Sequence, residues 1–337
     1  MGKECTCNPS QIFQGAVVST VLITGANGLI GRSVLLAAEQ AGHSLTAVVR
    51  GAVSDHSCKV VRHDLRLPLR DVSAVDWVFH LAGAYAGADY QDLSRADARI
   101  AESVLAWGRE AGIKNWVIAS AAEVYGSVDG VATESAPTRP LIPYGRIKLE
   151  LELTFIEQLA SVPDCRLVIL RIGEVYGSKS RLIGELTTRL RLGFCPWPGS
   201  GRVRVSFVHV EDVAQAFLCA LQRAGLGVSI YNVADDVTAT WRDFVRSVAA
   251  RLGTKPPMFL PIRLVQYYAA CSTLMCRLAH RQPVLTQHAL RLLMTPKVLS
   301  NARLKHELGF HLRYPSCSEG MEEALRGLSN DTKDGAP

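Results

Sequence analysis

Residues 17–31 read VVSTVLITGANGLIG, an apolar run that passes into a glycine-spaced turn. Its first half, residues 17–24, is dominated by β-branched and apolar side chains, the pattern of a strand buried on both faces of a parallel sheet. Glycines follow at 25, 28 and 31. From residue 33 to 41 the apolar spacing becomes helical, and Gly42 stops it. Strand, glycine turn and helix in that order form a phosphate cradle. Gly25 permits the tight turn, Gly28 lets a pyrophosphate approach the backbone, and Gly31 lets the helix lie close to the strand. The helix start offers free amides and the positive end of its dipole to the phosphates, and Asn27, Leu29 and Ile30 belong to the same expected contact.

Residues 45–50 (LTAVVR) read as a second strand whose end would meet the adenosine ribose. An acidic residue there would hold the 2′-hydroxyl of NAD. The chain has Arg50 instead, with Arg32 just past the last glycine, and two guanidiniums suit a 2′-phosphate. NADP is therefore the expected cofactor, with NAD as the alternative if both arginines are merely solvated. A third strand pattern covers residues 59–62. Asp64, followed by Leu65, stands where it can accept from the adenine amino group or serve as a plain turn aspartate.

Composition narrows the class further. The chain has 337 residues, 48% hydrophobic and 20% charged, which suits a globular protein with two substructures. The formal charge of +6 suits an anionic ligand, and no basic run with interleaved aromatics points to nucleic acid. Nine cysteines include a lone CxC at Cys5 and Cys7 and no paired CxxC, so no metal site is expected. Scattered cysteines and an N-terminus without a signal peptide's apolar core suggest a cytoplasmic protein. The longest apolar stretch, residues 259–279, is broken by Arg263, Gln266 and Arg277. It reads as an amphipathic helix on the protein rather than a membrane span.

Seven segments resemble landmarks of the extended short-chain dehydrogenase/reductase family, the epimerase/dehydratase-like group, and they stand in the family's order. They are TGANGLIG (24–31), HLAG (80–83), IKNWVIASAAEVYG (113–126), PYGRIK (143–148), LRIGEVYG (170–177), SFVHVEDVAQA (206–216) and YNVADD (231–236). The closest pattern is the branch of reductases and 3β-hydroxysteroid-dehydrogenase-like enzymes. The resemblance implies an α/β fold: a doubly wound, mostly parallel Rossmann sheet with a smaller C-terminal α/β substrate lobe. It implies a flexible extension over 1–16, a dinucleotide-binding domain over 17–177 that also receives 205–236, a substrate lobe from 178–204 and 237–325, and a flexible tail over 326–337. By the same resemblance Leu81, Ala82 and Gly83 lie beside the adenosine ribose. A homodimer is implied through helices around 96–111 and 144–159.

The YxxxK pair carries the chemistry. A phenol titrates near pH 10, too high for a base at neutral pH, and a nearby ammonium lowers that value. Tyr144 and Lys148 are four apart and share one helix face. Tyr144 can then exchange a proton with the substrate oxygen, and by resemblance Lys148 also holds the nicotinamide ribose. One position departs. Where the family has Ser or Thr, four residues before Tyr125, this chain has Ala121. Ser120 stands one earlier and would take over that role only if the strand bulged, because neighbouring residues of a strand face opposite ways. Glu123 resembles the acid of the family's dehydratases, but Ala122 replaces their aspartate, which favours a structural reading. Asp97 stands where the family commonly has an asparagine.

Substrate class is the least legible. Relatives that bind nucleotide-diphosphate sugars often carry an arginine at the position of Val205, and an asparagine at that of Glu174. Arg204, one residue off, would face the other side of a strand, and a carboxylate repels a diphosphate. The lobe is rich in apolar residues, among them Phe259, Leu260, Tyr267, Tyr268, Leu290 and Met294, as a lipophilic pocket would be. The expected activity is hydride transfer between a nicotinamide cofactor and an alcohol or ketone carbon of a lipophilic or small carbonyl substrate. A nucleotide-sugar epimerase/dehydratase stays open, as does an impaired dinucleotide-binding regulator.

Overall fold

A computed structural model describes residues 18–51, 58–83, 90–267, 269–270 and 287–326. The expected extension, with Cys5 and Cys7, lies outside these residues. So do most of the expected tail and part of the apolar stretch at 259–279, Tyr268 included.

The opening stretch folds as its pattern requires. β1 (Thr20–Thr24) has Val21, Leu22 and Ile23 fully buried, because both faces of the strand are covered. The glycine turn then leads into α1 (Leu29–Gln40), and Gly42 leaves the helix with φ +82°. β2 (Ser44–Val49), β3 (Lys59–Arg62), β4 (Trp77–His80), α2 (Tyr90–Glu110), β5 (Asn115–Ala121), α3 (Pro143–Leu159) and β6 (Arg166–Ile172) continue the alternation. Later come β7 (Glu174–Tyr176), α4 (Arg181–Arg191), β8 (Pro196–Pro198), β9 (Arg204–Val205), β10 (Phe207–His209), α5 (Val210–Arg223) and β11 (Gly227–Val233). β12 (Ala239–Thr240), α6 (Trp241–Arg251), β13 (Met258–Leu260), α7 (Gln287–Met294), α8 (Ala302–Leu308) and α9 (Cys317–Arg326) complete the described chain.

Seven strands form one sheet in the order β11-β6-β5-β4-β1-β2-β3, every pair parallel. The order reverses between β1 and β4, which opens a crevice at the carboxyl ends of those strands. One face is covered by α1 and α5, whose Val34, Leu35, Val213 and Phe217 pack over Val21, Ile23 and Phe79. The other is covered by α2 and α3, through Val104, Leu105, Leu151 and Phe155 over Leu22, Val78 and Ile118. This is the doubly wound α/β architecture that the sequence implies.

A third core gathers Tyr176, Ile183, Leu186, Phe207, Trp241, Phe244 and Met321 from β7, α4, β10, α6 and α9. Stretch 170–177 is split by the structure. β6 ends in the main sheet, and β7 pairs in parallel with β10 outside it. Gly173 marks the break. A Cβ there would lie 2.5 Å from the Ser206 carbonyl oxygen, so only glycine lets the two backbones approach.

Among the described residues no helix is long and apolar enough to cross a membrane, no His/Cys/Asp/Glu group could hold a metal ion, and Cys58, Cys165, Cys195, Cys219 and Cys317 are free thiols.

Candidate active site

The glycine turn has the geometry of a cradle that side chains would fill. Gly25 sits at φ +70°, and a Cβ on it would come within 2.7 Å of the Ala82 nitrogen and 2.8 Å of the Leu81 carbonyl carbon. A Cβ on Gly31 would collide with the Gly25 carbonyl oxygen and lie 2.8 Å from the Ala26 Cα. Gly28 caps α1 with no side-chain hydrogen bond, and no acidic residue occupies the first turn. The helix start keeps its amides and dipole for an anion, so the residues fit a dinucleotide pyrophosphate. Thr24 closes the floor of the crevice. Its Oγ1 accepts from the Leu81 and Ala82 amides, both at 3.2 Å, and lies 3.0 Å from His80 Nδ1. Gly83 follows, where a Cβ would be 3.4 Å from both Asp97 Oδ2 and Lys148 Nζ. The end of β4 thus joins the cradle to the YxxxK helix.

At the adenosine side, Arg32 and Arg50 are exposed, Leu65 is buried, and Leu29 and Ile30 are half-buried beside Asn27. Asp64 is engaged locally. The Arg66 guanidinium and backbone amide bond to it and hold its carboxyl at about 2. Any bond to an adenine amino group shares the carboxylate with Arg66.

Pro143 opens α3, where its missing N–H costs nothing, and Tyr144 and Lys148 share one face of it. The Lys148 ammonium is 5.8 Å from the centre of the Tyr144 ring. Burial pulls the Lys148 ammonium below the ordinary lysine range, against the raising fields of Asp97 and Glu152. Burial and the Lys148 charge push His80 down to about 3, so this histidine is neutral.

Ser120 takes a different place from the one its alternative role requires. β5 runs without a bulge: Ser120 pairs with Arg171 and Ala121 with Ile172, and Ala121 is extended at φ −142°, ψ 152°. The Ser120 hydroxyl donates to Glu152, which is locked to Arg171 by bonds of 3.0 and 2.7 Å. Glu152 lies about two helical turns beyond Tyr144 on α3. The condition for Ser120 to supply the hydroxyl absent at Ala121 is therefore unmet, because a regular ladder turns neighbours to opposite faces.

Lys297 joins the site with no local signal in the sequence. Its segment is stitched into the fold by backbone bonds from Lys297 N to the Arg204 oxygen (3.0 Å) and from Ser206 N to the Lys297 oxygen (2.6 Å). Its ammonium is buried between Glu123 Oε1 at 2.7 Å and Glu174 Oε2 at 3.0 Å. Burial pulls this ammonium down, and the two carboxylates more than reverse it, leaving it above the ordinary lysine range. A lone lysine after Pro296 carries no motif. Only the pairing of distant segments reveals it. The expected strand alternation at Arg204 and Val205 does hold, with Arg204 exposed and Val205 buried.

A family model described as the NAD dependent epimerase/dehydratase family matches residues 21–234. The chain belongs to this family. The epimerase/dehydratase fold accounts for the match, since the segment runs from β1 to the end of β11 and contains the whole parallel sheet. Among curated relatives, a 3-diazoavenalumate denitrifying reductase of a Streptomyces species is 27% identical over 89% of this chain and 98% of its own. A UDP-glucose 4-epimerase 2 of Oryza sativa subsp. japonica is 25% identical over 72% of each chain. The solved structure of MoeE5 in complex with UDP-glucuronic acid and NAD superposes with a TM-score of 0.75 at 23% identity, covering 93% of this chain and 99% of that one. Reductases and epimerases thus both occur among the relatives of this epimerase/dehydratase-family enzyme.

Proposed function

We propose that the chain is an NADP-dependent oxidoreductase that exchanges a hydride with the alcohol or ketone carbon of a lipophilic or small carbonyl substrate. The observation that carries this reading is the Tyr144–Lys148 pair, held on one face of α3 at the end of the glycine-lined crevice. When bound, the nicotinamide ring supplies the carbon that takes or gives the hydride. The chain's own residues handle the proton and the positioning. Tyr144 gives a proton to the substrate oxygen in reduction and takes it in oxidation. The Lys148 ammonium favours the phenolate. Gly25, Gly28 and Gly31 admit the pyrophosphate, and Leu81, Ala82 and Gly83 line the path between cradle and catalytic pair. Arg50 and Arg32 support the NADP preference, since both are exposed and β2 ends without a carboxylate.

Epimerases among the relatives favour a second reading, in which the cofactor stays bound and the hydride returns to the same substrate. The test separates the two. The purified protein is denatured, any released nucleotide is identified, and the emptied protein is titrated with NADPH and NADH. An empty site that prefers NADPH supports the exchanging oxidoreductase. Stoichiometric bound NAD overturns the NADP assignment and favours the recycling enzyme. Tyr144→Phe should abolish turnover and leave dinucleotide affinity nearly unchanged.

A further inference from the structure

We propose that Leu192, Phe194 and Met258, together with Arg189, Arg191 and Lys255, form a surface that docks the protein on an anionic lipid bilayer. The inference goes beyond the hydride-transfer reading and stands without it.

Charge distribution is the first argument. The chain carries a formal +6, and every one of its 31 acidic residues lies outside residues 186–210 and 244–306. These two segments hold 14 of the 37 arginines and lysines, so the rest of the chain is net acidic. The segments also meet in space. β8 and β13 run parallel with Met258 opposite Pro196, and Met258 N donates to the Cys195 oxygen at 3.0 Å. The residues that enter the two strands, 192–195 and 255–257, are therefore neighbours. Arg189, Arg191 and Lys255 are all exposed there. Glu185, the nearest acid along α4, pairs with Arg181 at 2.6 Å and with Arg189 at 3.8 Å. Positive charge gathered on one side in this way is attracted to an anionic surface.

Exposed apolar side chains are the second argument. α4 ends in a glycine turn, with Gly193 at φ +72° and its N–H donating to the Leu190 oxygen at 3.0 Å. In such a turn the residue after the glycine often packs on an apolar side chain in the helix's last turns. Thr188 and Arg189 hold those positions here, and Phe194 is left 64% exposed beside Leu192 at 77%. Met258, on the paired strand, is 50% exposed. The same elements bury Ile183, Leu186, Leu190 and Trp197, so these three apolar side chains stand outside a core that is already closed.

The two features together select the occupant. A soluble polyanion would meet the cations and leave Leu192, Phe194 and Met258 in water. A second copy packed about a two-fold axis would set one cationic rim against another. A bilayer takes both features, with the cations at the lipid phosphates and the apolar side chains at the acyl boundary.

The test is co-sedimentation of the full chain with two kinds of vesicle, phosphatidylcholine alone and phosphatidylcholine with phosphatidylglycerol at about three to one. The mixed vesicles should bind at least about tenfold more tightly. Each cation contributes about fivefold, so the combined Arg189→Gln, Arg191→Gln and Lys255→Gln variant should lose roughly a hundredfold. Leu192→Ser combined with Phe194→Ser should lose at least about tenfold at unchanged charge. All five positions are exposed, and melting curves check that the variants keep the fold. Equal binding to both vesicles, or to neither, overturns the inference, as does a glutamine variant that binds like the parent. A serine variant with parental affinity marks a site for soluble polyanions, with heparin as the parallel probe, and overturns it as well. So does sedimentation velocity, if it shows an oligomer that the serine variant dissociates, because the patch is then a contact between copies.

Discussion

Glu152 and Arg171 form a buried ion pair whose breaking the structure prices most directly. Their side chains are 2% and 5% exposed. Arg171 reaches both oxygens of Glu152, at 3.0 and 2.7 Å, Ser120 adds a third donor, and the guanidinium lies 4.8 Å above the Tyr125 ring. Removing one partner strands a charge in low dielectric, which costs about 3–5 kcal/mol. For a chain of this size that is a fall in midpoint of roughly 4–7 °C. Arg171→Met and Glu152→Leu should each fall in this range by denaturant and thermal unfolding. The double variant should recover most of the loss, because two apolar side chains replace two buried charges, giving a coupling energy of about 2 kcal/mol or more. A second readout follows from Lys148, four residues before Glu152 on α3. Glu152 raises the Lys148 pKa against burial, so Glu152→Gln should lower it further. Lys148 then loses its proton at lower pH, and the alkaline limb of kcat/KM should move down. If Arg171→Met costs less than about 1 kcal/mol, or the single losses simply add in the double variant, the pair is not the buried lock described here.

Gly31→Ala should weaken dinucleotide binding at least about tenfold and cost roughly 1–3 kcal/mol of stability, since the new methyl group wedges α1 away from Gly25; titration and melting check both. Asp235 is buried with neither carboxyl oxygen bonded, and burial, reinforced by Asp212, pushes it up to about 9. Its unfolded value is near 3.9, so the folded state holds the proton longer and loses stability as pH rises from about 4 to about 9. Asp235→Asn should remove that slope and raise the melting point at pH 8 more than at pH 5; parallel slopes would refute the assignment. Ala121→Ser should raise turnover if the donor at that position is what the site lacks, by up to about a hundredfold. Ser120→Ala should lower stability and leave the chemistry largely intact, because its hydroxyl serves Glu152.

The sheet and the cradle were legible because their signals are local. Period, β-branching and glycine spacing act within a few residues, and residues 20–31 fold into the strand, turn and helix start that the pattern describes. Tyr144 and Lys148 were legible for the same reason: a separation of four on a helix guarantees a shared face. Ser120 was less so. Its direction depends on whether β5 bulges, and that is decided by the ladder with β6. Lys297 was beyond reach. It stands 174 residues from Glu123 and 123 from Glu174, and nothing in its neighbourhood distinguishes it from a surface lysine.

By itself the sequence determined the class of fold and the local geometry of the glycine turn and of the Tyr144–Lys148 pair, since each rests on short-range geometry that backbone sterics impose. Tertiary structure alone decided which charges meet around that pair. Arg171 stands behind Ser120 because two parallel strands share a register, and Lys297 is driven between two glutamates because its segment joins the ladder at Val205. Burial then gives those pairings their strength, and burial belongs to the packed whole and not to any stretch of the chain.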